Sequence, residues 1–180
     1  MKTRTIILAF LLTGVLSFSS YAQVSINPGI AFGSEIESIG ITVGAEYFLS
    51  DKVSIAPDFI YYFTKKESQA FSGSEIEVKS KLWELNGNVH YYFVDNSNIA
   101  FYGLGGLNYS HVGVKYKQTE IGSGIVEAEF EADDGEVGVN LGVGANFTNR
   151  QNFTPFTELK YVGASTDQLV ISAGLKLNLQ

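Results

Sequence analysis

Glu136 to Phe147 reads E-V-G-V-N-L-G-V-G-A-N-F, a strict alternation of apolar and small residues. Val137, Val139, Leu141, Val143, Ala145 and Phe147 fall on one face; Gly138, Asn140, Gly142, Gly144 and Asn146 fall on the other. A period of two places these sets on opposite sides of a β-strand. In a water-soluble sheet the polar side normally carries Lys, Glu or Thr. Here it carries only glycine and asparagine, which suits a crowded polar interior. The greasy face then looks outward, and the solvent it meets is lipid.

The same alternation recurs on both sides of this stretch: Val24–Gly33, Ser38–Leu49, Val53–Phe63, Lys81–Phe93, about Ile99–Tyr109, Asn152–Val162 and Leu169–Leu179. With the opening stretch this predicts an all-β chain folded as an eight-stranded antiparallel up-and-down transmembrane β-barrel. Tight turns are expected at Ser50-Asp51-Lys52, Asp95 to Asn98 and Thr148 to Gln151, and a longer polar loop over Thr64 to Lys79. Gly105-Gly106 marks an expected site for a bulge. Short turns after the second, fourth and sixth strands, with long connections between, match the periplasmic and external sides of outer-membrane barrels.

Outward aromatic residues sort by height. Phe32, Tyr61, Phe63, Trp83, Tyr109 and Tyr161 fall near one rim, and Tyr47, Tyr91, Phe93, Phe101, Phe147 and Phe153 near the other. Two aromatic girdles around a Val, Ile and Leu band are what two lipid interfaces select. Outward faces carry no charge in mid-strand, where Lys or Arg would cost about 2–4 kcal/mol.

Composition sets further bounds. The chain has 180 residues, 45% of them hydrophobic, no cysteine and a formal charge of −7, which fits one domain. Lys2 and Arg4, the apolar run Ile6 to Val15 and the small residues ending at Ala22 read as a cleaved signal peptide over residues 1–22, leaving a barrel domain over residues 23–180. Loss of Lys2 and Arg4 moves the charge from −7 to −9, so nucleic acid is excluded as a partner. Without cysteine no disulfide or thiolate metal site exists.

On this strand and loop pattern, and on pieces such as Tyr102-Gly103-Leu104-Gly105-Gly106 and Phe156-Thr157-Glu158-Leu159-Lys160-Tyr161, the chain resembles the small outer-membrane barrels of the OmpA/OmpX-like, porin-like superfamily. The resemblance runs from Val24 to Leu179. It implies an outer-membrane location and contact with outer-membrane lipids. One departure is the end, Leu177-Asn178-Leu179-Gln180, where such barrels usually carry an aromatic residue.

Candidate functional residues fall in two groups. Glu46, Asp58, Glu84, His90, Glu158, Lys160 and Lys176 point inward. A barrel of eight strands is only wide enough for side chains to fill it, so these form a charge-paired plug rather than an ion path. Gly138, Gly142 and Gly144 are expected to leave room for Glu158, Lys160 and their partners. The second group lies between Val114 and Glu136, where Val112, Val114 and Tyr116 alternate on the way up and Glu127, Glu129, Phe130 and Glu131 on the way down. This pattern predicts two strands prolonged beyond the membrane, turning at Gly122-Ser123-Gly124 and carrying an acidic ladder. Tyr116, Glu127, Glu129, Phe130 and Glu131 are the candidate binding ribbon.

No catalytic, cofactor or metal site is expected. Ser110 and His111 are adjacent and therefore point to opposite faces, which does not build a nucleophile and base. The functional expectation is a monomeric, non-enzymatic surface barrel acting in envelope integrity or in adhesion and binding of an extracellular protein or other surface ligand. A small porin-like channel, a lipid A-modifying barrel enzyme and a soluble lipocalin-like carrier are the alternatives; the last needs an apolar interior.

Overall fold

The computed structural model describes residues 24–71, 74–120, 126–147, 153–165 and 167–179. The expected signal segment, the Gly122-Ser123-Gly124 tip and the Thr148 to Gln151 turn lie outside the described residues.

Nine strand segments follow in order: β1 (Val24–Gly33), β2 (Ser38–Ser50), β3 (Val53–Tyr62), β4 (Lys65–Phe71), β5 (Ser74–Asp95), β6 (Ala100–Glu120), β7 (Val126–Asn146), β8 (Phe153–Gly163) and β9 (Gln168–Leu179). All pair antiparallel with their neighbours. The ring β1-β2-β3-β5-β6-β7-β8-β9 closes where Val24 to Gly33 of β1 lie opposite Leu179 to Val170 of β9. The barrel therefore has eight strands. Closure gives every backbone group at membrane depth a partner, which hydrocarbon cannot provide.

Segment β4 is not a ninth stave. It continues the line of β3 along β5, with Lys65 opposite Ser80 and Phe71 opposite Ser74. The polar loop expected over Thr64 to Lys79 is thus corrected to a hairpin. Its first strand opens Lys65-Lys66-Glu67-Ser68-Gln69, with no apolar alternation, because beyond the membrane neither face has to be greasy. The bulge expected at Gly105-Gly106 is also absent: both glycines keep regular register with Val89 and Asn88 and with Leu141 and Asn140. Register shifts fall instead at Tyr92/Val94 and Phe48/Ser50, at the short-turn end, and at Gln118/Thr119 in the extension.

Burial is inverted relative to a soluble protein. Val137 and Leu141 are 70% and 69% exposed, while Glu84 and Lys160 are 0% and 1% exposed. The outward aromatics gather at the rims. At one end Trp83 lies 5.9 Å from Phe59 and 5.6 Å from Tyr109; at the other Phe93 and Phe101 stack at 6.5 Å.

Strand length differs around the ring. β1, β3, β8 and β9 have 10 to 12 residues, enough to cross tilted, whereas β5, β6 and β7 have 21 or 22. Pairing of β7 with β8 stops at Val139 and Gly163. Residues 126–138 run on for about 40 Å of strand beyond it. With β4, β5 and β6 they form a four-stranded sheet standing above one rim.

Candidate functional site

Inward positions of the staves bring the seven ionisable groups into one column, divided into two clusters. In the lower cluster Glu46 is fixed on both carboxylate oxygens. Lys176 Nζ donates to Oε2 at 2.5 Å, and Ser54 Oγ and Tyr92 OH each donate to Oε1 at 2.6 Å. His90 Nδ1 lies 3.2 Å from Oε1. Its ring stacks on Tyr102 at 4.4 Å, and Tyr102 OH donates to Glu158 Oε2 at 3.0 Å. Lys176 Nζ also sits 5.0 Å from the centre of the Tyr102 ring, a cation–π contact.

In the upper cluster Lys160 Nζ lies 3.8 Å from Asp58 Oδ1 and 3.9 Å from Glu84 Oε2. Asparagines hold these carboxylates. Asn86 and Asn88 donate to the two oxygens of Asp58 at 2.8 and 2.9 Å, and Asn108 and Asn140 donate to Asn86 Oδ1 at 2.8 and 2.9 Å. Tyr62 OH and the Gln168 amide donate to Glu84 Oε1. Low dielectric makes such a network strong when satisfied and costly when broken.

Between the clusters a cavity of about 40 Å³ is lined by Asp58, His90, Tyr102, Glu158, Ser172 and Lys176 together with Ala45, Ala56, Pro57 and Phe156 among others. It has room for about three waters. Both ends of the column are apolar. Ala31, Ile36, Ile60, Tyr62, Leu82, Val162 and Val170 cap the upper cluster; Tyr92, Ala100, Tyr102, Leu104 and Phe48 close the lower end. Ile36 belongs to the β1–β2 turn. Ser34 ties that turn down, its N–H donating to Leu169 O and its Oγ accepting from Leu169 N–H, both at 2.9 Å.

The glycines of β7 make space, Gly144 for Tyr102, the hydrogen-bond partner of Glu158. A Cβ at Gly144 would sit 2.2 Å from the Tyr102 ring, and one at Gly142 would sit 2.3 Å from Leu159 O on β8. Gly144 admits the ring on which His90 stacks, and Gly142 admits a neighbouring backbone rather than the Lys160 side chain.

The extension has two unlike faces. Even-numbered residues continue the inward face: Val78 faces Tyr116, which faces Phe130, with Leu82 and Val112 below and Ala132 beside Val114. Odd-numbered residues continue the outward face. There Lys117 lies opposite Glu129 and Lys115 opposite Glu131, and Lys115 Nζ bonds Glu129 diagonally. Lys79 pairs with Glu77 at 2.5 Å. The glutamates of the acidic ladder thus lie opposite a row of lysines on β6. The Lys115 hydrogen bond and charge hold the Glu129 carboxyl below the ordinary carboxylate range, and Glu129 pushes the Lys115 ammonium above its own. Glu127 sits in β7 at the register shift between Gln118 and Thr119, as the extra residue of that strand.

Tyr116 and Phe130 thus share one face, and Glu129 and Glu131 the other. No nucleophile–base pair forms at Ser110 and His111. Ser110 donates inward to Asn108 at 3.1 Å, whereas His111 stacks outward on Trp83 at 5.3 Å. Among the described residues, no group of three or more His, Asp or Glu is placed to hold a metal ion.

Beyond the ionisable groups, the network takes in the inward rings Tyr62, Tyr92 and Tyr102, which are expected to tighten the plug, and Ser54, Asn86, Asn88, Asn108, Asn140 and Gln168, which are not among the candidate site residues. Each occupies an inward register position, and that position was the available signal. Ile36 gave none, because a turn residue has no periodicity.

Comparison with known proteins agrees with this architecture. The barrel of Ail, the attachment invasion locus protein of Yersinia pestis, superposes with a TM-score of 0.58 at 14% identity, over 89% of this chain and 100% of that one. The N-terminal barrel domain of Pseudomonas aeruginosa OprF gives 0.56 at 16% identity, over 87% and 97%. A major outer membrane protein of Thermus thermophilus gives 0.66 at 11%, over 89% and 100%. These identities establish a shared fold. No curated protein matches the sequence. The family model of the outer membrane protein beta-barrel domain matches residues 8–176, nearly the whole chain. This chain is therefore a member of the outer membrane protein beta-barrel domain family and resides in the outer membrane.

Proposed function

We propose that this protein is a monomeric, non-enzymatic barrel whose filled interior serves as a rigid support, and that its work is to present the β4–β7 sheet to an extracellular partner. The observation that carries this reading is the strand edge at residues 126–138. These residues pair with β6 on one side, and β7 stops pairing with β8 at Val139. A sheet edge outside the membrane accepts an added strand through backbone hydrogen bonds, with side-chain pockets setting specificity. Glu131 and Asp133, which outnumber the lysines left to them on this edge once Lys115 is taken by Glu129, and the alternate Phe130 and Ala132 favour an extended partner segment in which Lys or Arg alternates with apolar residues.

Ail has been crystallised with the heparin analogue sucrose octasulfate. A sulfated ligand is disfavoured on the outward face of the extension of this chain, since Lys79 and Lys115 are engaged by Glu77 and Glu129. A channel is opposed by the buried apolar caps at both ends of the lumen.

The test is photocrosslinking on intact cells from a benzophenone amino acid at Phe130 or Glu129, with the lipid-facing position Val143 as control. A single captured protein species at the ribbon positions, competed by a synthetic peptide of alternating lysine and valine, is the expected result. Indiscriminate capture equal at all three positions would remove the binding role.

A further inference from the structure

We propose that the vestibule at the upper mouth of the barrel is a binding socket for an alkylammonium group, either a free primary amine or a lysine side chain. The socket goes beyond the strand-edge reading and does not depend on it. It is a cavity of about 290 Å³ bounded by Glu35, Ile36, Ser80, Leu82, Ser110, Val112, Glu136, Val162 and Gln168. That volume lies at the lower end of small-ligand sites, which run from about 300 Å³ upward.

Its chemistry is divided by level. Ile36, Leu82 and Val162 are buried apolar residues, and Val112 extends their wall upward, so the sides accept hydrocarbon. Every charged group in the lining is a carboxylate, from Glu35 and from Glu136, whose Oε1 also accepts from the Ser165 N–H and hydroxyl, and no lysine or arginine is present. The floor adds an acceptor that lacks a donor. Gln168 is 6% exposed, its amide nitrogen is committed to Glu84, and its Oε1 has no hydrogen-bond partner. Ser110 Oγ spends its hydrogen on Asn108, which leaves its lone pairs available.

A buried acceptor without a donor is costly. A ligand that enters here must therefore bring N–H groups and positive charge at one end and methylenes behind them. An alkylammonium does both: three donors reach Gln168 Oε1 and a carboxylate as charge-assisted bonds, and the stem lies along Leu82 and Val112. An anion or a neutral hydrocarbon satisfies only one half of the lining or neither.

The experiment uses the full barrel, isotope-labelled and refolded into lipid nanodiscs, titrated with n-pentylammonium chloride, acetyl-Gly-Lys-Gly-amide, acetyl-Gly-norleucyl-Gly-amide and sodium pentanoate. The expected result is saturable shifts at the Leu82, Val112 and Gln168 amides with one or both ammonium probes, and at least roughly tenfold weaker response to the norleucine peptide and pentanoate. Response to the lysine peptide alone assigns the socket to a partner's side chain; response to pentylammonium alone assigns it to a free amine.

The variant Glu35→Gln/Glu136→Gln weakens binding by about tenfold while the lumen resonances of His90 and Asn140 stay in place. Equal response to norleucine, shifts confined to lipid-facing residues, no saturation up to about 10 mM, or unchanged binding in the double variant would each overturn the proposal. If the socket fails, capture at Phe130 still decides the strand-edge reading independently.

Discussion

The lumen and the extension use the same ion-pair chemistry in opposite surroundings. Glu46 and Lys176 meet at 2.5 Å with side-chain exposures of 1% and 7%, whereas Lys115 and Glu129 meet with exposures of 39% and 46%. The first pair has given up its water and is held by Ser54, Tyr92 and the Tyr102 ring. Its partners are obligatory, because a buried charge left alone is destabilising by several kcal/mol. The second pair keeps its water, and exposed pairs of this kind contribute little to stability. Charge in the barrel therefore holds the structure together, while charge on the sheet is available for recognition.

The largest effect is expected in the lower lumen cluster. Glu46→Ala leaves Lys176 buried without its carboxylate and should lower barrel stability by about 3–5 kcal/mol, read as a shift in the urea unfolding midpoint in lipid vesicles. Replacing both partners, as Glu46→Leu/Lys176→Met, should cost clearly less than the single change, because no uncompensated charge remains. If the double variant is the worse of the two, the pair is not the unit of the network.

Next in size is the glycine that admits the aromatic ring. Gly144→Val places carbon within the space of Tyr102 and should destabilise by about 1–3 kcal/mol. Tyr102→Ala in the same chain should recover part of that loss, which a purely backbone effect would not allow. Native gel mobility before and after heating measures both.

The smallest effect belongs to the extension. Lys115→Ala and Glu129→Ala should leave the unfolding midpoint where it is. Because the Glu129 carboxyl is held low and the Lys115 ammonium high, the pair is charged throughout the neutral range. A depressed carboxyl contributes only above its unfolded value, and the contribution is lost as pH falls through the lowered folded value. Acidification through the carboxylate range should thus weaken partner capture at the ribbon while barrel stability follows its own course. A parallel loss of both would merge the two regions that the structure keeps apart.

The sequence made the staves legible because lipid imposes a binary choice on every residue. In β1 both ends and both faces follow from Val24, Ile26, Ile30 and Phe32 alternating with small residues. Where lipid ends, that signal weakens: it survives in Val112, Val114 and Tyr116 of β6 and is lost in β4. Lys65-Lys66-Glu67-Ser68-Gln69 has no greasy face, so only its pairing with β5 reveals β4 as a strand. The acids of β7 read as a ladder for a similar reason: their lysine partners on β6 are distant in sequence, and the register between strands was needed to bring Glu129 to Lys115. In the lumen the inward ionisable groups could be named, but their division into clusters around Glu46 and around Lys160 depends on stagger between staves. The Ile36 cap is a turn packed over the mouth, a tertiary fact with no local pattern.

Single-channel recording from the refolded protein in a planar bilayer tests most directly whether the lumen is support rather than pathway. With the Glu46, Lys176, Glu84 and Lys160 groups packed between two apolar caps, no discrete conductance steps are expected at any applied voltage. Steady unitary steps, abolished or altered in ion selectivity by Glu46→Gln or Lys160→Met, would contradict a filled barrel and turn its charge column into an ion path.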